Sequence, residues 1–470
     1  MKHLLSTFLI FSSFYNANCQ PHFSERTYGL GRGVFIDLAQ NNNYIIGANI
    51  GSHPSQLAYN ILINEQGDTI RTMALPTMSL RCIRQLSDGG FICIGDSGGS
   101  VNRIARINRV DSVGNLQWVS EYPLSDWGTW GTSIVKDLDG GYFIGLVNDG
   151  DGPENTYYIF KTDSTGQAYD TSIVQYPESS FLQNPGSMQL TVDSGVIAAP
   201  STPIFGSIRI VKLSAQLDSQ WTKQYFPAGN LELTGNYIIQ TSDSGYLVLG
   251  YQDSLSGTFI SCGYLLKVNQ NGDSIWTNTY SIPNTSIRYV SALEDSNGDI
   301  YISGLYQINS NNTNAIIILK VNSIGNTIWS RLFFGSGSAY ASSMMLDQFQ
   351  NPMVLGYTRD SLTNLEYIYL IKADSILSGT PHENFLHENL FDIFPNPVNS
   401  ILSLQNKKRV ESKISCIIRN SLGQILYRKN EISLNEIMIQ RIDISSFANG
   451  IYLLQMSAAD FQLNFRIIKN

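Results

Sequence analysis

Histidine is the side chain best suited to moving protons near neutral pH. This chain has five, His3, His22, His53, His382 and His387. A Ser-His-Asp triad or a His-held metal in the body of the chain would have to use His53. Its setting, Gly51-Ser-His-Pro54, reads as a turn and suggests neither. Asp295-Ser-Asn-Gly-Asp299 imitates the start of a calcium loop, but the pattern then needs Gly at 300 and Glu at 306, where Ile300 and Tyr306 stand. Asn148-Asp-Gly-Asp-Gly152 reads as a solvated turn, and no Cys-x-x-Cys spacing exists. No cofactor and no metal are therefore expected, and no catalytic residue can be named. A carboxylate pair for glycoside hydrolysis is defined by its separation, so Asp/Glu chemistry stays open.

Aromatic rings offer the better binding candidate. Tyr122-Pro-Leu-Ser-Asp-Trp-Gly-Thr-Trp130 carries Trp127 and Trp130 outside the repeated Trp position, and Tyr289 and Tyr340 fall at roughly the same place in later units. Such rings could stack on sugars or cap a peptide. They could equally fill gaps between packed sheets, because Trp and Tyr bury large areas.

The elements that would position these rings form a repeat. Asp88-Gly-Gly-Phe-Ile-Cys-Ile-Gly95 resembles Asp139-Gly-Gly-Tyr-Phe-Ile-Gly145, Asp243-Ser-Gly-Tyr-Leu-Val-Leu-Gly250, Asn297-Gly-Asp-Ile-Tyr-Ile-Ser-Gly304 and Gln350-Asn-Pro-Met-Val-Leu-Gly356. Degenerate copies end at Gly47 and Ala199, so the closing small residue recurs every 48 to 54 positions. A second landmark runs in phase, as in Leu266-Lys-Val-Asn-Gln-Asn-Gly-Asp-Ser-Ile-Trp276 and Leu319-Lys-Val-Asn-Ser-Ile-Gly-Asn-Thr-Ile-Trp329. Alternating or β-branched runs separated by Asp-Gly and Asn-Gly turns predict four short antiparallel strands per unit. Seven such units predict a seven-bladed β-propeller over residues 21–376. The seventh unit lacks its fourth strand, and the orphan Phe23-Ser-Glu-Arg-Thr-Tyr28 is expected to supply it. The pattern resembles secreted bacterial β-propeller repeats, a resemblance that implies a fold and no function.

Cys82 and Cys93 flank the Ser87-Asp-Gly-Gly90 turn on neighbouring strands. A cross-strand disulfide and two small buried hydrophobes are both open. Lys2, an apolar run over 4–14 and the small residues Ala17 and Cys19 read as a signal peptide of residues 1–20. No later apolar stretch has membrane-spanning length, so no membrane span is expected in the mature chain. Net charge is −8, which disfavours nucleic acid as a partner. The charge is uneven. From Phe391 onward ten Lys/Arg face six Asp/Glu, a net of +4, which leaves −12 for the remainder and marks a boundary.

A polar linker at 377–390 precedes the last segment. Residues 391–470 alternate in short runs punctuated by Pro395-Asn-Pro397, Leu422-Gly-Gln424 and Asn449-Gly450, the pattern of a small Ig-like β-sandwich. Phe394-Pro-Asn-Pro397, Gly423, Ile442-Asp-Ile-Ser445, Gly450-Ile-Tyr452 and Ile467-Ile-Lys469 closely resemble the type A C-terminal sorting domain of the type IX (Por) secretion system. The matching residues include Pro395, Asn396, Pro397, Gly423, Gly450, Tyr452 and Lys469. The resemblance implies a Gram-negative source, recognition by the outer-membrane translocon, removal by a sortase-like peptidase, and release or attachment at the cell surface. The sequence thus reads as all-β, a secreted or surface propeller that binds a glycan or protein without catalysis. A secreted hydrolase or lyase using funnel carboxylates is the alternative.

Overall fold

The computed structural model describes residues 22–374 and 391–469, apart from short stretches between strands, of which 176–187 is the longest. The expected signal peptide and His53 lie outside the described residues. Phe23–Ser375 form one compact unit, and the C-terminal strands belong to a second.

Within the first unit the strands form seven antiparallel sheets in chain order. Blades 1 to 6 occupy 32–74, 79–122, 129–175, 188–225, 231–280 and 285–333. Blade 7 combines Gly337–Leu346, Pro352–Asp360 and Glu366–Asp374 with the N-terminal strand His22–Leu30, which pairs with Glu366–Asp374. The orphan strand therefore does complete the last blade. Blade 4 departs from the pattern. Its second strand is broken into Val196–Ala198 and Ser201–Thr202, both paired with Ser207–Leu213. Pro200 stands in the break and has no N–H to give a ladder.

Seven hydrophobic clusters join the blades. Each draws chiefly on two consecutive sheets, and one joins Ile36, Tyr44 and Ile46 of blade 1 to Met353, Leu355 and Ile368 of blade 7. That last cluster closes the ring. Cys82 sits opposite Ile94, and Cys93 opposite Ile83, so the two thiols point to opposite faces of their sheet. Cys82 packs toward blade 3 and Cys93 toward blade 1, and both are free. The disulfide alternative is thereby removed.

Both halves of the repeat acquire a physical reason. In six blades the inner strand carries one extra, bulged residue, namely Val34, Arg81, Thr132, Asn236, Val290 and Ser342. At Gly250 and Gly356 a Cβ would sit 1.8 Å from the inner-strand carbonyls of Thr234 and Tyr340. The closing small residue thus permits the close approach at the bulge. The Lys of Leu-Lys-x-Asn reaches an Asp of its own blade's first hairpin: Lys161–Asp137 at 3.0 Å, Lys212–Asp193 at 2.8 Å, Lys267–Asp243 at 2.7 Å and Lys320–Asp295 at 2.9 Å. Arg109 does the same to Asp88.

The outer-strand aromatics reach forward instead. Tyr225 and Tyr280 donate their hydroxyls to the carbonyls of Gly272 and Gly325 in the following blade, both at 2.5 Å. Tyr122 bonds Gly166 likewise. The N-terminal strand repeats the device. Tyr28 donates to Gly67 of blade 1 at 2.7 Å, and Arg26 pairs with Asp68 as Lys223 pairs with Asp273.

These hairpin pairs predict an acid limit. Burial alone would raise the Asp193 carboxyl, but hydrogen bonds from Lys212 and Thr191 and the Lys212 charge outweigh it and hold it at about 2. Asp243 is depressed by the same balance, with burial opposed by Lys267 and Thr241. A depressed carboxyl contributes stability above its unfolded pKa of about 4 that is lost as pH falls through its folded value. Unfolding midpoints in urea should therefore hold from neutrality to about pH 4 and fall between about pH 4 and 2. A flat profile across that window would show that the pairs add nothing.

In the C-terminal unit, Phe391–Phe394, Ile401–Asn406 and Ile439–Asp443 form one sheet. Ile425–Leu434, Val410–Asn420, Gly450–Ser457 and Gln462–Lys469 form the other. Leu402, Leu404 and Ile442 from the first meet Ile414, Cys416, Ile418, Leu454 and Ile467 from the second in one core. This is a two-layer β-sandwich. Tyr452 is buried and donates to the Ala448 carbonyl at 2.6 Å, and Gly450 pairs with Lys469. Asn396, Pro397 and Gly423 lie outside the described residues.

Candidate functional site

A propeller offers three places for function: its hairpin face, its central channel, and the rim where inner strands begin and second strands end. The hairpin face is occupied by the Lys–Asp pairs and by turns in which Asp111, Asp163, Asp295 and Asp347 accept backbone N–H bonds. Among the described residues, no group of three or more His, Cys, Asp or Glu could hold a metal ion.

The inner strands line the channel, and two of their charged side chains pair across neighbouring blades. Arg84 of blade 2 donates to Asp37 of blade 1 at 2.7 Å and lies over the Phe35 ring at 5.2 Å. Burial alone would lower the Arg84 guanidinium, but the Asp37 carboxylate overcomes this and raises it. Tyr237 of blade 5 is raised by burial. The Arg84 charge also acts on Tyr237. Blades 2 and 5 are not neighbours, so the charge acts across the channel.

The inner strands carry three carboxylates among the described residues, Asp37, Glu232 and Glu294. Asp37 is held by Arg84. Glu294 accepts from the Ser242 amide at 2.6 Å and from its hydroxyl at 3.0 Å. Two of the three are thus engaged in structural bonds.

The rim is where the aromatic candidates fall. Trp127 lies outside the described residues. Trp130 is the second residue of the inner strand of blade 3 and is only 6% exposed, with the Arg103 guanidinium 5.1 Å from its ring centroid. Tyr289 is fully buried. Its ring meets Tyr280 edge-on at 5.9 Å and fills the space where a side chain at Gly263 would stand. Tyr340 is half-buried and stacks on Tyr357, with centroids 4.6 Å apart and planes 11° from parallel. Asn314 donates to its hydroxyl at 2.8 Å.

The different fates of Tyr289 and Tyr340 follow from one residue of register. Counting two residues back from each bulged residue gives Arg32, Ser79, Trp130, Thr234, Arg288 and Tyr340. Tyr289 is one place further on, so it points to the opposite face of its strand and into the packing between blades 5 and 6.

That same count brings out residues that composition and motif did not. Arg32 lies 5.0 Å from the Tyr357 ring centroid, and Arg288 lies 4.7 Å from that of Tyr251. The two pairs are built alike. The Arg lies two residues before the bulge of an inner strand, and the Tyr directly follows the closing Gly of the preceding blade. Arg359 lies 5.9 Å from the Tyr340 centroid. Glu366 ties the cluster together, accepting from Arg32 at 2.5 and 2.8 Å and from Arg359 at 2.6 Å. Burial alone would raise the Glu366 carboxyl, but bonds to both arginines hold it below its usual range. The sequence signal for this cluster was the position 15 or 16 residues ahead of each closing Gly, at Gly47, Gly304 and Gly356.

Solved structures similar to this chain include a protein of unknown function from Bacteroides caccae. It is 11% identical, with a TM-score of 0.38, over 66% of this chain and 97% of that one. Others are the polysaccharide lyase Uly1, at 10% identity and TM-score 0.47 over 73% and 90%, and the β-propeller domain of the Trilobed protease from Pyrococcus furiosus, at 11% and 0.40 over 73% and 96%. No curated protein matches the chain in sequence. Among the described residues no helix is long and apolar enough to cross a membrane. Residues 392–470 match the family described as the secretion system C-terminal sorting domain. That domain implies interaction with the type IX secretion machinery and places the protein in the medium or on the outer cell surface. The chain is a β-propeller that carries at its C-terminus a member of the type IX secretion sorting-domain family.

Proposed function

We propose that the propeller is a non-catalytic binding module and that the rim holds its ligand. The observation that carries this reading is the half-exposed Tyr340–Tyr357 stack, flanked by Arg32 and Arg359. It combines flat apolar surface with planar hydrogen-bond donors in one place, the mixture that recognition sites use. Asp37 and Glu294 speak for binding over hydrolysis, because each is already bonded, to Arg84 and to Ser242. Trp130 stands on the same rim, and Trp127 is proposed as a further ligand contact. The C-terminal domain is proposed to be read by the outer-membrane translocon and cut off by a sortase-like peptidase once the propeller is outside.

Binding of the purified protein to a glycan and matrix-protein array tests the rim. Tyr340→Ala should lower the apparent affinity at least about tenfold, since an anchoring aromatic contributes on the order of 2 kcal/mol. Trp130→Ala is expected to cost stability rather than affinity, because its ring is buried. Unchanged binding by a folded Tyr340→Ala protein would remove the rim as the site.

A further inference from the structure

We infer that the ligand is an acidic polysaccharide, one that carries carboxylate or sulfate groups on successive sugars. This rests on the reading that the rim binds.

Two stations of the same construction lie on that rim, at the junction of blades 7 and 1 and at the junction of blades 5 and 6. At the first, Arg32 stacks by Tyr357 and Arg359 by Tyr340. Their shared partner is the single carboxylate of Glu366, so two guanidiniums against one carboxylate leave one positive charge. Arg32 is 48% exposed and spends Nε and Nη2 on Glu366. A guanidinium has five N–H donors, so Arg32 keeps donors for a ligand. At the second station Arg288 lies over Tyr251 and donates Nε to the Ser261 hydroxyl at 3.0 Å. It is exposed and has no carboxylate partner among the described residues. Each station therefore presents a cationic fork beside an aromatic plane.

The setting sharpens the choice of ligand. The propeller side of the chain carries −12, and many of its Asp residues belong to hairpin turns at the other end of the strands. A polyanion is repelled by that surface and gathers only where guanidiniums face solvent. Planar forks match carboxylate and sulfate oxygens, and the rings beside them match the flat faces of sugars. Two like-built stations at junctions two blades apart suit a polymer whose charge repeats. A folded acidic protein would have no reason to present the same group twice in that way.

Affinity electrophoresis and titration calorimetry of the full chain test this, with alginate as the polyuronate, dextran sulfate as the sulfated polymer, dextran as the neutral polymer and polyglutamate as the acidic peptide. Alginate or dextran sulfate should bind, with affinity falling as salt rises, and dextran should not. Which of the two binds tells carboxylate from sulfate. Arg288→Gln should weaken binding about tenfold, the worth of one charge-assisted contact, with only a small fall in melting temperature from the lost bond to Ser261. Arg32→Gln should weaken it similarly, though loss of its bond to Glu366 also touches blade closure, so Arg288→Gln is the decisive variant. Equal binding to dextran would overturn the acidic class while leaving the rim as a binding site. Equal binding to polyglutamate would overturn the polysaccharide. Binding untouched by Arg288→Gln would overturn the station, and no binding to any of the four polymers would overturn the inference, whereas the Tyr340→Ala comparison decides the broader reading separately.

Discussion

Removal of residues 23–30 opens the propeller and costs most of its stability. The strand His22–Leu30 is the outer strand of blade 7, although it comes first in the chain. Its loss strips the ladder from Glu366–Asp374 and leaves an unpaired edge, the feature that drives sheets to aggregate. It also removes what this strand gives blade 1, the Tyr28 hydroxyl on Gly67 and the Arg26–Asp68 pair, together with the bond between Glu25 and Tyr369. At about 1 kcal/mol net per hydrogen bond the sum is on the order of 5 kcal/mol or more, comparable with the whole stability of many domains. Denaturation midpoints and size-exclusion profiles check this. The shortened protein should melt far lower and associate, and a synthetic peptide of residues 22–30 should restore much of the loss. The single change Tyr28→Phe should cost about 1 kcal/mol, because it leaves the Gly67 carbonyl without its donor. A shortened protein as stable as the full one would mean that the ring does not depend on its N-terminal strand.

The blades were readable in the sequence because each repeats the same local chemistry. Asp-Gly turns, the closing Gly and alternating runs are short-range signals, and the degenerate fourth copy coincided with the blade broken at Pro200. The closing strand was readable because the last unit was one strand short. What could not be read depended on register and on partners distant in sequence. The Lys of Leu-Lys-x-Asn finds its Asp 19 to 25 residues earlier, as in Lys212–Asp193 and Lys320–Asp295, and a motif shows only that the two recur. Cys82 and Cys93 looked able to meet until the register set their side chains on opposite faces. Tyr289 and Tyr340 looked equivalent, yet the bulge places them one residue out of phase, and one became packing while the other stayed at the rim. Arg32 over Tyr357 joins positions at opposite ends of the propeller chain, a contact visible only once the ring is closed.

The C-terminal domain implies an address outside the cell, and the propeller is the part we propose to work there. The two follow different physical logics. The propeller's side chains are spent on blade-to-blade packing and on the rim, while residues 392–470 form a separate core and match a sorting-domain family. Deletion of residues 391–470 should therefore leave the propeller folded and still able to bind, yet stranded behind the outer membrane. The most direct measurement is cell fractionation of the native host expressing either the full chain or residues 1–390, with the propeller detected by antibody in the medium, on intact cells and in the periplasm. The full chain should be found in the medium or on the surface, and the shortened chain in the periplasm. A shortened chain that reaches the medium or the surface as well as the full one would contradict the account.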